Sequence, residues 1–210
     1  EYSFLTVDIM SLSRLGEATA FQPWLSGVIL WFFYKTGGIS FVLILRGSIL
    51  LLTYGFLWGM IRERSNAYLA TLLTLILGAA TLNNWAIRAQ LFTYPLFVLS
   101  MYLILDWQQG RRRRIFFLPL IVLLWANLHG SYILPIILAG AALLTVREGR
   151  GTLLIVLLLM GAATFITPLG LGLWRYFLFM LDTPAVKGFV TEWAPPVNTG
   201  WQMNLFFGWL

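Results

Sequence analysis

Few residues in this chain can do chemistry, and they are unevenly spaced. The single histidine, His129, stands in "WANLHGSY" (125–132), two positions after Asn127 and inside a long, almost unbroken apolar stretch. A neutral imidazole there can donate from a cavity wall to a phosphate or sugar hydroxyl, or tie its own turn together by bonding a carbonyl. Arg88 and Gln90 stand in "NNWAIRAQ" (83–90). A planar guanidinium suits a phosphate or pyrophosphate, while an arginine near a helix end also snorkels to lipid headgroups. Asp8, Glu17, Asp182 and Glu192 are the carboxylates placed to act as a general base, with Trp193 beside the last. Taken singly, each fits an ordinary solvated loop better, because a base is defined by geometry. Arg46 sits inside an apolar run, where an intramembrane partner, a lipid phosphate or a packed carbonyl accounts for it. The sequence has no nucleotide-binding glycine loop, no His/Glu metal spacing and no nucleophile elbow. It also has no cysteine, so neither a disulfide framework nor a cysteine metal site forms.

The elements that must position these residues are dictated by composition. The chain is 60% hydrophobic, 16% aromatic and only 10% charged, with a mean hydropathy of +0.83. That excludes a soluble domain of ordinary make-up and selects the membrane class. The isoelectric point near 10.0 would suit nucleic acid, but the arginines are confined to short links between apolar runs, so no nucleic-acid partner is expected. The fold class expected is all-α, a polytopic helical membrane protein. The absence of a starting methionine, and an end at Leu210 inside a new apolar run, read as a piece of a longer protein.

Crossing a hydrocarbon core of about 30 Å takes about 20 helical residues. The apolar runs predict spans at 39–61, 67–82, 88–105, 115–129, 131–146 and 152–167, with a truncated span starting near 202. Arg62, Arg64, Arg111 to Arg114, Arg147 and Arg150 make up eight of the 14 basic residues and fall in alternate links. Basic links lie on the cytoplasmic side, so six crossings leave "NNWAIRAQ", "NLHGS" and "TPLG" on the outer face. The organisation expected is an outer loop at 1–38, a six-helix region at 39–167, a second outer loop at 168–201 and the start of a further span at 202–210.

Residues 21–36 are too short to cross and are read as a helix lying at the outer interface, with Trp24, Trp31, Tyr34 and Lys35 at headgroup level. Residues 170–182 are read likewise, after Pro168 and Gly170 break the preceding span. The stretch 115–146 would be about 48 Å long as one helix, too much for one crossing, so "NLHGS" becomes the turn of a tight hairpin in which Gly130 supplies the conformational freedom. Irregular backbone at that depth survives only against protein or a water-filled cavity. Asp8, Arg14 and Glu17, then Asn83, Asn84, Arg88 and Gln90, then Asn127 and His129, then Arg175, Lys187, Glu192 and Trp193 thus converge on one face, as a cavity there requires.

The order of "QPWLSGVILWFFYKTGG", a span with an early arginine, "IRAQLFTYPLF", an arginine-rich link, "LLWANLHGSYILP", "TPLGLGLWRY" and "TPAVKGFVTEWAPP" resembles the polytopic GT-C glycosyltransferases. It is most similar to the bacterial members related to protein mannosyltransferases and aminoarabinose transferases, over almost the whole chain. The resemblance implies an inverting enzyme that takes a sugar from a polyprenyl-phosphate donor and places it on an acceptor at the outer face of a bacterial inner membrane. Arg88 and Gln90 stand where similar sequences read Arg-Pro-Gln, with Ala89 in place of the proline, and "NLHGS" stands where they read Asn-Leu-His-Gly-Gly. The family's catalytic aspartate lies just after the first transmembrane helix, ahead of Glu1, and Asp8 lies further along the same loop.

Two functions follow. The first is a membrane glycosyltransferase with Asp8 as the catalytic candidate and Arg88, Gln90, Asn127, His129, Glu192 and Trp193 holding the donor phosphate and sugar. Its partners are a polyprenyl-phosphate-linked sugar and the bilayer. No cofactor is called for, and a divalent metal is left open. The second is a non-catalytic membrane subunit or lipid-binding scaffold of a larger complex. A transporter fits less well, since no midplane carboxylate or repeat symmetry is seen.

Overall fold

The computed structural model describes Gly16 and residues 21–182, apart from residues 112 and 147. Every regular element among them is helical. Seven α-helices are described: α1 Trp24–Arg62, α2 Ala67–Ala80, α3 Thr93–Gln108, α4 Leu118–Leu128, α5 Ile133–Thr145, α6 Arg150–Ala163 and α7 Gly172–Asp182. Short 3₁₀ turns at Leu82–Asn84, Ala89–Phe92, Arg114–Phe117 and Gly130–Tyr132 lead into or join them. The catalytic candidate Asp8, the donor-site candidates Glu192 and Trp193, the loop beyond residue 182 and the span expected near 202 lie outside the described residues.

The helices begin and end where the sequence punctuates them. Asn66 caps α2, its side-chain oxygen accepting the Leu69 N–H at 2.9 Å, and a proline occupies the first turn of α4. α1 is two limbs joined at a sharp corner. Gly37 (φ −146°, ψ 20°) and Gly38 (φ 63°, ψ −157°) leave helical geometry, and the Gly38 pair of angles is a region essentially reserved for glycine. The leading limb is the short helix expected at 21–36, and the trailing limb is the run expected at 39–61. Gly149 plays a comparable part before α6, with φ 73° and the Trp107 ring so close that a Cβ there would lie 3.0 Å from it.

Two helices are long and apolar enough to cross a membrane, Trp24–Arg62 and, with its 3₁₀ lead-in, Ala89–Gln108. The other apolar segments, Ala67–Ala80, Arg114–Leu128, Gly130–Thr145 and Arg150–Ala163, are shorter, about 21–24 Å at 1.5 Å per residue. The outside of the bundle is strongly apolar: Leu51, Leu75, Leu144 and Leu158 are each two-thirds or more exposed. The inside holds one large cluster built from α3 to α7, around Ile115, Leu118, Val122, Trp125, Leu153 and Met160. A smaller one joins Ile49 and Leu50 of α1 to Leu91, Phe92 and Leu128.

The links sort by chemistry. At one end Arg64 and Ser65 share a groove with Met101 and Leu105, and Trp107 lies on Gly149, which brings the three arginine-bearing links together. Asp106 is buried there, 3.0 Å from Arg111 Nε and 3.7 Å from Arg114 Nη1. Neither contact is aligned as a hydrogen bond, so among the described residues the carboxylate is held by charge. At the other end residues 22–26, 81–94, 125–134 and 164–181 come together.

Candidate functional site

The polar end is assembled by a clamp between the start of α1 and the end of α4. The last carbonyls of any helix lack intrahelical donors and must find them elsewhere. Here Gln22 Nε2 donates to the Ala126 carbonyl at 2.9 Å and Ser26 Oγ to the Leu128 carbonyl at 2.6 Å. Between them Trp24 Nε1 donates to Asn127 Oδ1 at 2.9 Å. Gln22 and Ser26 are four residues apart, on one face of the turn they open, so one helix face serves two orphan acceptors. Both side chains are buried.

Asn127, expected to line a cavity, has its amide fully engaged. Besides accepting from Trp24, its Nδ2 donates to the Leu123 carbonyl at 2.8 Å and to the Ile166 carbonyl at 3.1 Å. It lines neither of the two cavities at this end and ties three elements together.

His129 turns the corner of the hairpin with an extended backbone (φ −162°, ψ 151°), after its N–H has bonded the Trp125 carbonyl at 2.9 Å. Gly130 does not supply the freedom the sequence suggested, since its φ is not positive and a Cβ would meet only Gln22 Oε1 at an ordinary 3.6 Å. The ring bonds no carbonyl across the hairpin. Its Nδ1 lies 2.8 Å from Ser131 Oγ and accepts the Ser131 backbone N–H at 3.2 Å, while Trp125 Nε1 donates to Ser131 Oγ at 3.1 Å. Burial pushes the imidazole below its ordinary pKa and favours the neutral ring.

Two cavities open on either side of this turn. The first, about 540 Å³, lies under α7 and is walled by Gln22, Gln90, His129, Tyr132 and Tyr176. The second, about 480 Å³, runs between α1, α2, α3 and the hairpin, with Tyr54, Thr81, Asn84 and Tyr94 around its polar part and Leu57, Phe97 and Met101 deeper. Gln90, His129, Ser131 and Leu134 belong to both walls.

Much of the polar lining of the second cavity is already satisfied. Trp85 Nε1 donates to the Tyr54 hydroxyl at 3.0 Å, Tyr54 bonds Thr81, and Thr81 Oγ1 donates to the Leu77 carbonyl at 2.8 Å. Tyr94 donates to the Asn84 carbonyl at 2.7 Å. In the first cavity Tyr132 is fully buried in edge-on contact with Trp174, their ring centres 6.0 Å apart, and its hydroxyl has no hydrogen-bond partner among the described residues. A buried, unbonded hydroxyl costs roughly 1–3 kcal/mol, which a ligand oxygen reaching it would offset.

The structure therefore brings Gln90 and His129 together. It sets Arg88, exposed, at the start of the 3₁₀ turn two residues before Gln90 and in neither cavity wall, and diverts Asn127 to packing. Sequence reasoning missed Gln22, Ser131 and Tyr132 as parts of the site. Ser131, two residues after the only histidine, was the one with a local signal. Among the described residues no group of three or more His, Asp or Glu side chains is placed to hold a metal ion. Comparison with protein-family models, curated proteins and solved structures finds no match.

Proposed function

We propose that this chain is part of a multi-pass membrane glycosyltransferase of the GT-C type. It takes a sugar from a polyprenyl-phosphate donor and transfers it, with inversion, to an acceptor at the extracytoplasmic face of a bacterial inner membrane. The observation that carries the reading is the pair of cavities meeting at Gln90, His129 and Ser131, with polar groups toward the link regions and apolar walls running into the bundle. That division suits a lipid-linked anion, with its isoprenoid tail among Leu57, Phe97 and Met101 and its phosphate at His129. A neutral imidazole N–H would stabilise the charge that grows on the phosphate as it leaves the sugar; the Arg88 guanidinium, two residues before Gln90 and in neither cavity wall, is assigned to the same phosphate on the resemblance. All six apolar segments cross in this reading, and the four short ones are accommodated by local thinning of the bilayer and by snorkelling of the arginines at their basic ends.

A second reading, a non-catalytic lipid-binding subunit, is favoured by one observation: neither cavity has an Asp or Glu among its described walls. Full-length protein in lipid nanodiscs, supplied with polyprenyl-phosphate sugars, separates the two. The enzyme reading expects donor turnover, reduced at least about ten-fold by His129→Ala and by Gln90→Ala. A donor that binds the wild type and keeps its sugar supports the subunit instead, and undiminished transfer by Arg88→Ala removes Arg88 from the site.

A further inference from the structure

We infer that Trp125, Ser131 and His129 form a donor relay that fixes the imidazole in its Nε2–H form and presents that hydrogen to an acceptor oxygen in the space both cavities share. Ser131 is the positioning residue of the relay. The direction of each bond follows from groups that can only donate. An indole N–H has no acceptor lone pair, so at 3.1 Å Ser131 Oγ accepts from Trp125. The Ser131 backbone N–H likewise only donates, so at 3.2 Å His129 Nδ1 carries a lone pair. The hydroxyl hydrogen of Ser131 then has Nδ1, 2.8 Å away, as its acceptor. With Nδ1 accepting, the hydrogen of the neutral ring resides on Nε2.

The relay is local and rigid. Trp125 is fully buried in the large core cluster, and its indole anchors Ser131 across the hairpin. His129 stands in both cavity walls, so the Nε2–H of a ring held this way is offered to a ligand rather than consumed by the fold. The ligand chemistry that fits is an anionic phosphate oxygen. This last step rests on the proposed donor site, whereas the tautomer does not.

His129 is the only histidine of this sequence, and ring-¹⁵N-labelled histidine in the full-length protein in nanodiscs, with His129→Gln as the subtraction control, isolates its pair of resonances. The wild type is expected to show a pyridine-type Nδ1 and a pyrrole-type Nε2. Ser131→Ala should move Nδ1 toward the position of an unbonded ring nitrogen, and Ser131→Thr should keep it in place. Farnesyl phosphate, used as a short lipid phosphate, should move Nε2, and inorganic phosphate at the same concentration should not. A pyrrole-type Nδ1 in the wild type, or an Nδ1 indifferent to Ser131→Ala, overturns the relay. An Nε2 that ignores saturating farnesyl phosphate, or answers inorganic phosphate equally, overturns the lipid-phosphate assignment. Transfer activity is read separately: Ser131→Ala should lose at least about ten-fold, with rescue by Ser131→Thr. The expected resonances in a protein without transfer would refute the enzyme reading and keep the relay. Transfer by a ring carrying Nδ1–H would do the reverse.

Discussion

Trp24 and Asn127, 103 positions apart in the chain, are joined by a 2.9 Å hydrogen bond from the indole to the amide oxygen, and this bond sits in the middle of the clamp that docks the leading limb of α1 onto the end of α4. Asn127 spends its other amide group on carbonyls of its own helix and of the segment after α6, so three elements depend on it. Interhelical hydrogen bonds in membranes average about 0.6 kcal/mol each, which puts Asn127→Ala at roughly 2 kcal/mol and Trp24→Phe at roughly one third of that. Thermal unfolding of the purified protein checks both values. The double variant should cost less than the sum of the two, because they share a bond. Strict additivity would mean that the bond does not form.

The corner at Gly38 should be intolerant of any side chain. Its angles are compatible with glycine and cost other residues on the order of 1–3 kcal/mol, so Gly38→Ala either destabilises the protein by that amount or straightens α1. Straightening would pull Gln22 and Ser26 from the Ala126 and Leu128 carbonyls. Spin labels on the leading limb and on α5 would report the change as a longer distance. Gly130→Ala is the control: it should be close to neutral, because its Cβ makes only an ordinary contact.

The contrast between these two glycines shows what the sequence discloses. The apolar runs and their polar breaks placed the helices closely. α7 and both limbs of α1 fall where expected, since hydrocarbon length and helix breakers act locally. The gathering of Gln90 and His129 at one end was also legible, because alternating arginine links fix the direction of each run. Gln22 and Ser26 were not, since their partners lie more than 100 residues away and are backbone carbonyls, which leave no trace in residue type. Asn127 looked like cavity lining for the same reason. Whether a polar side chain is consumed by packing depends on which helix arrives beside it, and that is a tertiary fact.

The lowered pKa of His129 predicts a pH effect with a definite sign. The unfolded imidazole titrates near 6.5 and the folded one lower, so the folded state binds fewer protons in that interval. The stability contributed by the neutral ring is complete above pH 6.5 and is lost as the pH falls from there toward the folded value. Measuring unfolding temperature against pH for the wild type and for His129→Asn isolates the effect, because carboxylate titrations cancel in the difference. The wild type should lose more than the variant between pH 7.5 and 5.5. Parallel curves would mean that the ring is not desolvated.

At the opposite end, Asp106 and its arginines should respond asymmetrically to substitution. The carboxylate is 1% exposed, whereas Arg111 and Arg114 are more than half exposed, so burial is costly for one partner only. Asp106→Asn frees two cations that water can solvate and removes a buried charge, so its net effect on stability should stay within about 1 kcal/mol. Removing both arginines leaves the buried carboxylate without those two cations. Breaking a buried pair from that side costs about 3–5 kcal/mol. The prediction is therefore that Arg111→Ala with Arg114→Ala lowers the unfolding temperature far more than Asp106→Asn does. Adding Asp106→Asn to the double variant should restore most of the loss, since it removes the charge that had become uncompensated. A triple variant no more stable than the double would show that the arginines act by packing their stems rather than by neutralising Asp106.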